Sequence, residues 1–282
     1  MFRKVIPILL VLGLTACTFN VNLPVVQTAG PTVIDKIALP LPADTTKTVD
    51  VSLEFGAGTL KLHPGAEALI SGTATYNIPD FKPEVTSIGS TVKILQGNWH
   101  VNGIPNWNQI KNEWDLSLGN VPIDLSIKAG AYHAEYEFGG LALTNLTVQD
   151  GAADAKLNFS TPNVDQMALL RYETGASNVS LTGLANANFS SMEFDSGAGN
   201  YTLDFGGKLI RNASVYVKTG VSNITLVIPL GIPVQITVEG GLSNVSRGSG
   251  WNRNGNVYTQ AGEGYSLTIV IEIGAGNLTI TE

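Results

Sequence analysis

The sequence predicts an all-β protein, a parallel β-helix (β-solenoid) of about seven coils that follows an N-terminal β cap. Three observations predict this fold: a short phrase that recurs at nearly constant spacing, apolar residues that alternate around each copy, and a composition rich in glycine. The chain contains 31 glycines, and charged residues make up only 14% of it. This balance is typical of β-rich chains with many turns, and not of helix bundles or disordered chains.

Each copy of the phrase consists of an alternating apolar strand, Gly-Ala or a close variant, a residue that is usually Asn two positions after the Ala, and a second alternating strand. Seven regular copies have their glycine at Gly130, Gly151, Gly175, Gly197, Gly220, Gly241 and Gly274. Their intervals of 21, 24, 22, 23, 21 and 33 residues are typical of stacked repeats. An outlying copy at Gly56 belongs to the predicted cap. We expect these glycines to form turns, where they accept φ > 0 without steric cost.

Aligning the copies on their glycine predicts the core. Five positions before the glycine stand apolar residues such as Leu146, Leu170 and Met192, and the positions three before and six after are also mostly apolar. We expect these side chains to point inward and to form a continuous core once the copies stack. Three positions after the glycine lie Asn178, Asn200, Asn223, Asn244 and Asn277. Asn tolerates the left-handed conformation at corners, and stacked Asn side chains can bond in a ladder.

The N-terminal residues predict export and lipid attachment. Residues 1–16 have a short basic start and a ten-residue apolar run, Val5–Leu14, which is about half the length that spans a bilayer. The tetrad Leu14-Thr15-Ala16-Cys17 resembles the lipobox of bacterial lipoproteins, which implies that Cys17 is acylated. The predicted organisation is a signal peptide over 1–16, the lipidated Cys and a Pro-rich tether over 17–47, the β cap over 48–115 and the β-solenoid over 116–282. Within the tether, Val33–Leu39 could pair as an edge strand.

The charge and cysteine content exclude several classes of partner. Without residues 1–16 the chain keeps 14 basic and 23 acidic residues, a net charge of about −9. This balance argues against nucleic acid, which requires clustered Lys and Arg. Cys17 is the only cysteine, so no disulfide is expected. The three histidines, His63, His100 and His133, lack metal-ligand spacing, so neither a metal nor a cofactor is predicted.

Several stretches of the chain resemble the toast-rack family of bacterial envelope β-solenoids, which includes the LiaF C-terminal domain and candidate adhesins. The resemblance lies in Trp114-Asp115-Leu116, in Val121-Pro122-Ile123-Asp124-Leu125, in Gly130-Ala131 and in the returning Gly-Ala-Gly-Asn phrases, and it covers about residues 45–282. It implies a right-handed parallel β-helix, or a close variant, with an envelope-facing role often tied to stress sensing. It carries no catalytic residues. The chain differs from LiaF in its predicted lipid anchor and in having no predicted transmembrane helices.

Two sets of residues are candidate site residues. Glu173 and Asp195 face outward two positions before their glycines, and we expect them about 5 Å apart on adjacent coils, as in retaining glycosidases. Lys218 beside Asp195 favours a neutralised surface ladder instead. Trp99, Trp107 and Trp251 could stack on glycans, although a role in sealing the end of the solenoid is favoured, and Trp114 is predicted to be core.

The predicted function is that of a non-enzymatic, lipid-anchored protein on the extracytoplasmic face of the cell membrane. It would act as a scaffold, sensor or binding module toward an envelope polysaccharide or another envelope protein. The alternatives are a surface adhesin that binds glycans and a β-helical polysaccharide-degrading enzyme. The copy at Gly274 is expected at an open end of the stack, where Ile269–Ile280 could pair with a second molecule.

Overall fold

The computed structural model describes residues 29–97 and 109–282, and their strands form one sheet. In these residues the helical structure is limited to two 3-10 turns, Pro79–Phe81 and Leu184–Ala187. The strands are β1 Val33–Leu39, β2 Val49–Ala66, β3 Ile70–Tyr76, β4 Pro83–Ile88, β5 Thr91–Gln96, β6 Asn112–Gly119, β7 Ile123–Glu137, β8 Leu143–Asn158, β9 Met167–Thr182, β10 Phe189–Asp204, β11 Ala213–Val227, β12 Val234–Arg247, β13 Asn252–Asn254, β14 Val257–Gln260 and β15 Leu267–Thr281.

Eight long strands carry the repeat and stack in parallel, in the order β2-β7-β8-β9-β10-β11-β15-β12. Equivalent residues of successive copies are register partners: Met192 of β10 lies between Leu170 of β9 and Val215 of β11. Neighbouring strands in such a sheet lie about 4.8 Å apart, so every copy adds one rung to a continuous core. The prediction of an all-β parallel solenoid is confirmed.

The spatial order of the copies differs from their order in the chain at both ends. The strand β15 lies between β11 and β12, so the prediction that Ile269–Ile280 forms an open end is wrong. The interval between β12 and β15 contains β13 and β14, and β14 pairs antiparallel with β12. This hairpin occupies the edge of β12 that faces away from the stack. The chain then returns as β15 to the opposite edge of β12, between β12 and β11. At the other end, the outlying Gly56 copy stacks on the Gly130 copy, because β2 pairs in parallel with β7.

The segment predicted as a cap contributes β2 to the stack and extends the sheet beyond it. The first half of β2 pairs with β5 and its second half with β6. The strands β6, β3 and β1 then continue the sheet in antiparallel pairs, and β4 covers the outer edge of β5. One sheet therefore runs through the whole described part of the chain.

The repeat glycines are required by close approach of two backbones and not by a left-handed conformation. The seven regular copies have no glycine with positive φ at the repeat position, so that expectation is wrong. A Cβ on Gly175 would lie 2.3 Å from the carbonyl oxygen of Gly151, and one on Gly197 would lie 2.6 Å from that of Gly175. Positive φ occurs instead two residues later, at Gly199 and Gly276. We call the stacked glycines the glycine column; its members are Gly56, Gly130, Gly151, Gly175, Gly197, Gly220, Gly274 and Gly241.

The predicted core residues are buried. At the positions five and three before the glycine of the regular copies, no side chain is more than 8% exposed. Aromatic rings pack inside the stack: the Phe194 ring lies 5.8 Å from that of Tyr172 and 5.1 Å from that of Tyr201. Trp114 is fully buried, as predicted, and its ring lies 5.2 Å from that of Phe55.

The predicted asparagine ladder runs along the outside of the stack. The Nδ2 groups of Asn200, Asn223 and Asn277 donate to the Oδ1 atoms of Asn178, Asn200 and Asn223, at 3.0, 3.0 and 2.8 Å. The bond from Asn277 to Asn223 agrees with the position of β15 beside β11. In the described residues Asn188 is the one non-glycine residue with positive φ, so the ladder and not a left-handed corner accounts for these Asn residues.

Candidate functional site

A line of open depressions runs beside the glycine column, on the side of the residues that precede each glycine. The volumes of its parts are about 460, 500, 130 and 390 Å³. The first two share Lys128, and the second and third share Glu173 and Asp195. We call this line the glycine groove. Its rim is the row of polar side chains two positions before each glycine, namely Glu54, Lys128, Gln149, Glu173, Asp195, Lys218, Glu272 and Glu239.

Glu173 and Asp195 are register partners on adjacent strands and line the largest depression together, as the repeat spacing predicts. Both carboxylate oxygens of Glu173 have partners. Gln149 Nε2 donates to Oε2 at 2.7 Å, and Arg171 Nη1 lies 3.4 Å from Oε1. Arg171 also pairs with Glu193 on the next strand. Glu173 therefore acts as an acceptor in a network of surface side chains.

Asp150 is a polar group of the groove that the sequence analysis missed. It stands directly before Gly151, and it lines the largest depression while its carboxylate reaches into the stack. Tyr172 and Tyr132 donate their hydroxyls to Oδ2 at 2.8 and 3.4 Å, and the Thr174 hydroxyl donates to Oδ1. Burial raises the pKa of Asp150, and these hydrogen bonds oppose the rise only in part. The next copies have the hydroxyl residues Thr174, Ser196 and Thr219 at the equivalent position. The acid at position 150 therefore departs from the repeat, and this difference was visible in the alignment.

We expect Asp150→Asn to change the pH dependence of stability. Because the pKa of Asp150 is raised in the folded protein, the folded state retains its proton to higher pH than the unfolded chain. The contribution of this group to stability is complete below the ordinary pKa of about 3.9, and it is lost as the pH rises through the folded-state value. The stability of the wild type relative to the Asn variant should therefore fall from acid toward neutral pH.

The measurement is a series of urea unfolding midpoints for both proteins across this pH range. Asp154→Asn is the matched control, because Asp154 lies on the same strand with its side chain 67% exposed. A difference between the wild type and Asp150→Asn that stays constant with pH would contradict the raised pKa.

The histidines and candidate metal ligands do not converge in the described residues. No three His, Cys, Asp or Glu side chains of residues 29–97 and 109–282 come together in a way that could hold a metal ion. His63 Nε2 lies 2.9 Å from Asp115 Oδ1, and His133 Nε2 lies 3.2 Å from Glu135 Oε1. His100 lies outside the described residues. Within the same ranges, no helix has the length and apolar character needed to cross a bilayer.

The remaining predicted site residues fall into two groups. Cys17, Trp99 and Trp107 lie outside the described residues. Trp251 is only 5% exposed and belongs to the main hydrophobic core. Its ring therefore contributes to packing and is not available at the surface to stack on a sugar.

The fold and the groove define this protein as a parallel β-solenoid with an open polar groove across its strands. A sequence model described as the N-terminal domain of toast_rack, DUF2154, matches residues 28–169. This match covers just over half of the chain, and the protein therefore belongs to the toast-rack family. No curated protein matches the sequence.

Solved structures share the fold. A candidate cell adhesion protein from Clostridium sporogenes superposes with a TM-score of 0.51 at 20% identity, over 89% of this chain and 99% of that one. A candidate lipid binding protein from Parabacteroides distasonis has a TM-score of 0.42 at 10% identity, over 90% and 98% of the two chains. A candidate adhesin from Bacteroides fragilis has a TM-score of 0.37 at 10% identity, over 90% and 99%. At these identities the first likeness shows the fold alone, and the other two carry no argument.

Proposed function

We propose that this protein is a non-catalytic, lipid-anchored binding module of the cell envelope, which binds a linear envelope polysaccharide along the glycine groove. The observation that carries this proposal is the continuity of the first three depressions of the groove, in which neighbours share Lys128, Glu173 and Asp195. A groove that crosses successive strands suits a ligand that itself repeats. The rim carries carboxylates, two lysines and the amide of Gln149, and all of these groups can bond to sugar hydroxyls.

The surroundings of Glu173 support a binding role over catalysis. A retaining glycosidase pairs its nucleophilic carboxylate with a second carboxyl group that donates a proton. Here Gln149 and Arg171 already contact the two oxygens of Glu173, and Asp195 lies beside Lys218 on the next strand, which is typical of a neutralised surface network. The name of the Clostridium sporogenes structure describes cell adhesion and no reaction.

Attachment through Cys17 would place the groove at the membrane surface. The tetrad Leu14-Thr15-Ala16-Cys17 supports acylation at this cysteine, and acyl chains anchor a protein stably when more than one is present. The residues between Cys17 and β1, which begins at Val33, would act as a tether between the membrane and the sheet. Metabolic labelling with a fatty acid should mark the wild type and not Cys17→Ser.

We expect the double variant Lys128→Ala/Gln149→Ala to weaken binding of purified envelope polysaccharide about tenfold or more. These side chains line the central part of the groove, and a lost hydrogen bond to a charged donor costs about 1.5–3 kcal/mol. Sedimentation with insoluble peptidoglycan and titration with soluble surface polysaccharide measure the effect. Lys156→Ala is the charge-matched control, because Lys156 is exposed on the other arm of β8. Equal weakening by the control, or no binding of either polymer by the wild type, would contradict the proposal.

An adhesin that binds glycans of a host or neighbouring cell is the second candidate function. The structural likeness to a candidate cell adhesion protein favours it. Binding to intact foreign cells, without binding to the protein's own envelope polymers, would select this alternative. The enzymatic alternative requires hydrolysis or elimination on a polysaccharide panel that is lost in Glu173→Gln or Asp195→Asn, and such a result would refute the non-catalytic role.

A further inference from the structure

An apolar pocket opens at the β2 end of the glycine groove. Its volume is about 330 Å³, and it is lined by Ala57, Gly58, Phe81, Ile110, Asn112 and Ala131. The residue Ala57 also lines the adjoining depression of the groove, together with Gln96 and Lys128. A polymer in the groove could therefore place a substituent of one sugar residue in this pocket.

The pocket wall contains a buried amide oxygen without a partner. Asn112 is 3% exposed, and its Nδ2 donates to the carbonyl oxygen of Ala57 at 2.6 Å and to Gln96 Oε1 at 2.8 Å. Gln96 Oε1 also accepts the N–H of Gly56 at 2.8 Å. Because both neighbours of the Asn112 amide are acceptors, its nitrogen must face them, and this fixes the orientation of the side chain. Its Oδ1 is then left buried with no hydrogen bond, which is a costly arrangement.

We propose that the pocket binds the acetamido group of an N-acetylated sugar residue of the polymer; this inference rests on the proposed function. An acetamido group carries a methyl group, which suits the apolar wall formed by Ile110, Ala57 and Ala131, and an N–H, which can donate to Asn112 Oδ1. A purely apolar group would leave this oxygen unpaired, whereas a hydroxyl alone would leave the walls unfilled. Because Oδ1 is shielded from solvent, the pocket wall has to move slightly when the ligand binds. Among the large side chains of this wall, Ile110 is the partly exposed one.

The test compares the trimer of N-acetylglucosamine with cellotriose, the glucose trimer that has a hydroxyl in place of each acetamido group. Titration calorimetry on the full-length chain measures both affinities. We expect the N-acetylated trimer to bind at least about tenfold more tightly, since one buried hydrogen bond and a buried methyl group together exceed about 1.4 kcal/mol.

The variant Ala131→Leu should abolish this preference by filling the pocket, and the N-acetylated trimer should then bind no better than cellotriose. Ala131 is exposed, so the added side chain leaves the core unchanged. Ala176→Leu is the matched control: Ala176 is the equivalent exposed residue of β9, and it does not line the pocket. A circular dichroism spectrum and melting temperature equal to those of the wild type would show that both variants fold.

Three outcomes would overturn the inference: equal affinities for the two trimers, no binding of either, or an equal effect of Ala131→Leu and Ala176→Leu. Binding of decanoate in place of the trimer would also overturn it, because the pocket would then take acyl chains. If purified polysaccharide still binds and depends on Lys128 and Gln149, only the acetamido pocket is refuted. If purified polysaccharide does not bind at all, the proposed function fails as well.

Discussion

Gly175→Ala should lower the free energy of unfolding by about 3 kcal/mol, near the upper end of the cost of overpacking a core. A Cβ at this position would lie 2.3 Å from the Gly151 carbonyl oxygen, which is backbone and belongs to the next strand of the stack. The two strands would have to separate locally, and their hydrogen bonds on both sides of the glycine column would lengthen. The midpoint of urea unfolding measures the effect.

Gly151→Ala is the matched control within the same column. Its Cβ would lie 3.2 Å from the Gly130 carbonyl oxygen, a contact that a shift of a few tenths of an ångström relieves. Both substitutions remove a similar amount of backbone entropy from the unfolded chain, so this effect cancels in the comparison. Equal midpoints for the two variants would contradict the account of the glycine column as a site of backbone contact.

Phe194→Ala should lower the free energy of unfolding by about 3–5 kcal/mol, the usual cost of removing a buried aromatic ring. The side chain is 1% exposed, and its ring packs between those of Tyr172 and Tyr201. Its removal leaves a cavity that rigid strands on both sides cannot close. Phe194→Leu should retain part of the stability, because it refills part of the volume.

Val221→Ala provides the surface control, because Val221 is 66% exposed on the following strand. Exposed substitutions usually change stability by about 0.5 kcal/mol or less. Scanning calorimetry is suited to this comparison, since stacked repeats can unfold in more than one step and a single midpoint could conceal a local effect. A melting temperature of Phe194→Ala equal to that of Val221→Ala would show that the packed rings of Tyr172, Phe194 and Tyr201 do not stabilise the fold.

The sequence predicted the repeat and its inward-facing positions, because each copy is local and its spacing is regular. Leu170 and Met192 occupy equivalent places in the alignment and are register partners in the sheet. The ladder through Asn178, Asn200 and Asn223 follows from the same alignment. In a solenoid each copy contacts mainly its neighbours, so a local pattern is sufficient to specify most of the structure.

The order of the copies at both ends was not predictable from the spacing alone. The β13–β14 hairpin competes for one edge of β12, and this pairing directs β15 to the other edge. The copy at Gly56 joins the stack across a long intervening segment, which folds into other strands of the same sheet. Such pairings depend on contacts far apart in the chain. The role of the repeat glycines was misjudged for a similar reason, because it arises between strands and not within one turn.

The candidate site was predictable only in its repeating part. The alignment brought Glu173 beside Asp195, but it gave no reason to connect Phe81, Ile110 and Asn112. These three residues belong to segments outside the repeat, and only the pairing of β6 with β2 brings Asn112 to the end of the groove. The residue Asp150 was detectable as an acid at an inward position, yet its hydrogen bonds to tyrosines of neighbouring strands were not.

The position of β15 between β11 and β12 is tested most directly by cysteine cross-linking in a Cys17→Ser background. Thr225 and Thr279 are register partners on adjacent strands, about 4.8 Å apart and within the range that a disulfide can bridge. Thr225 and Ser246 lie two strands apart, at about 9.6 Å, which is beyond that range.

Oxidation should therefore cross-link the pair Thr225→Cys/Thr279→Cys and leave Thr225→Cys/Ser246→Cys reduced. If the second pair forms a disulfide and the first does not, the copies stack in chain order and the described sheet is wrong.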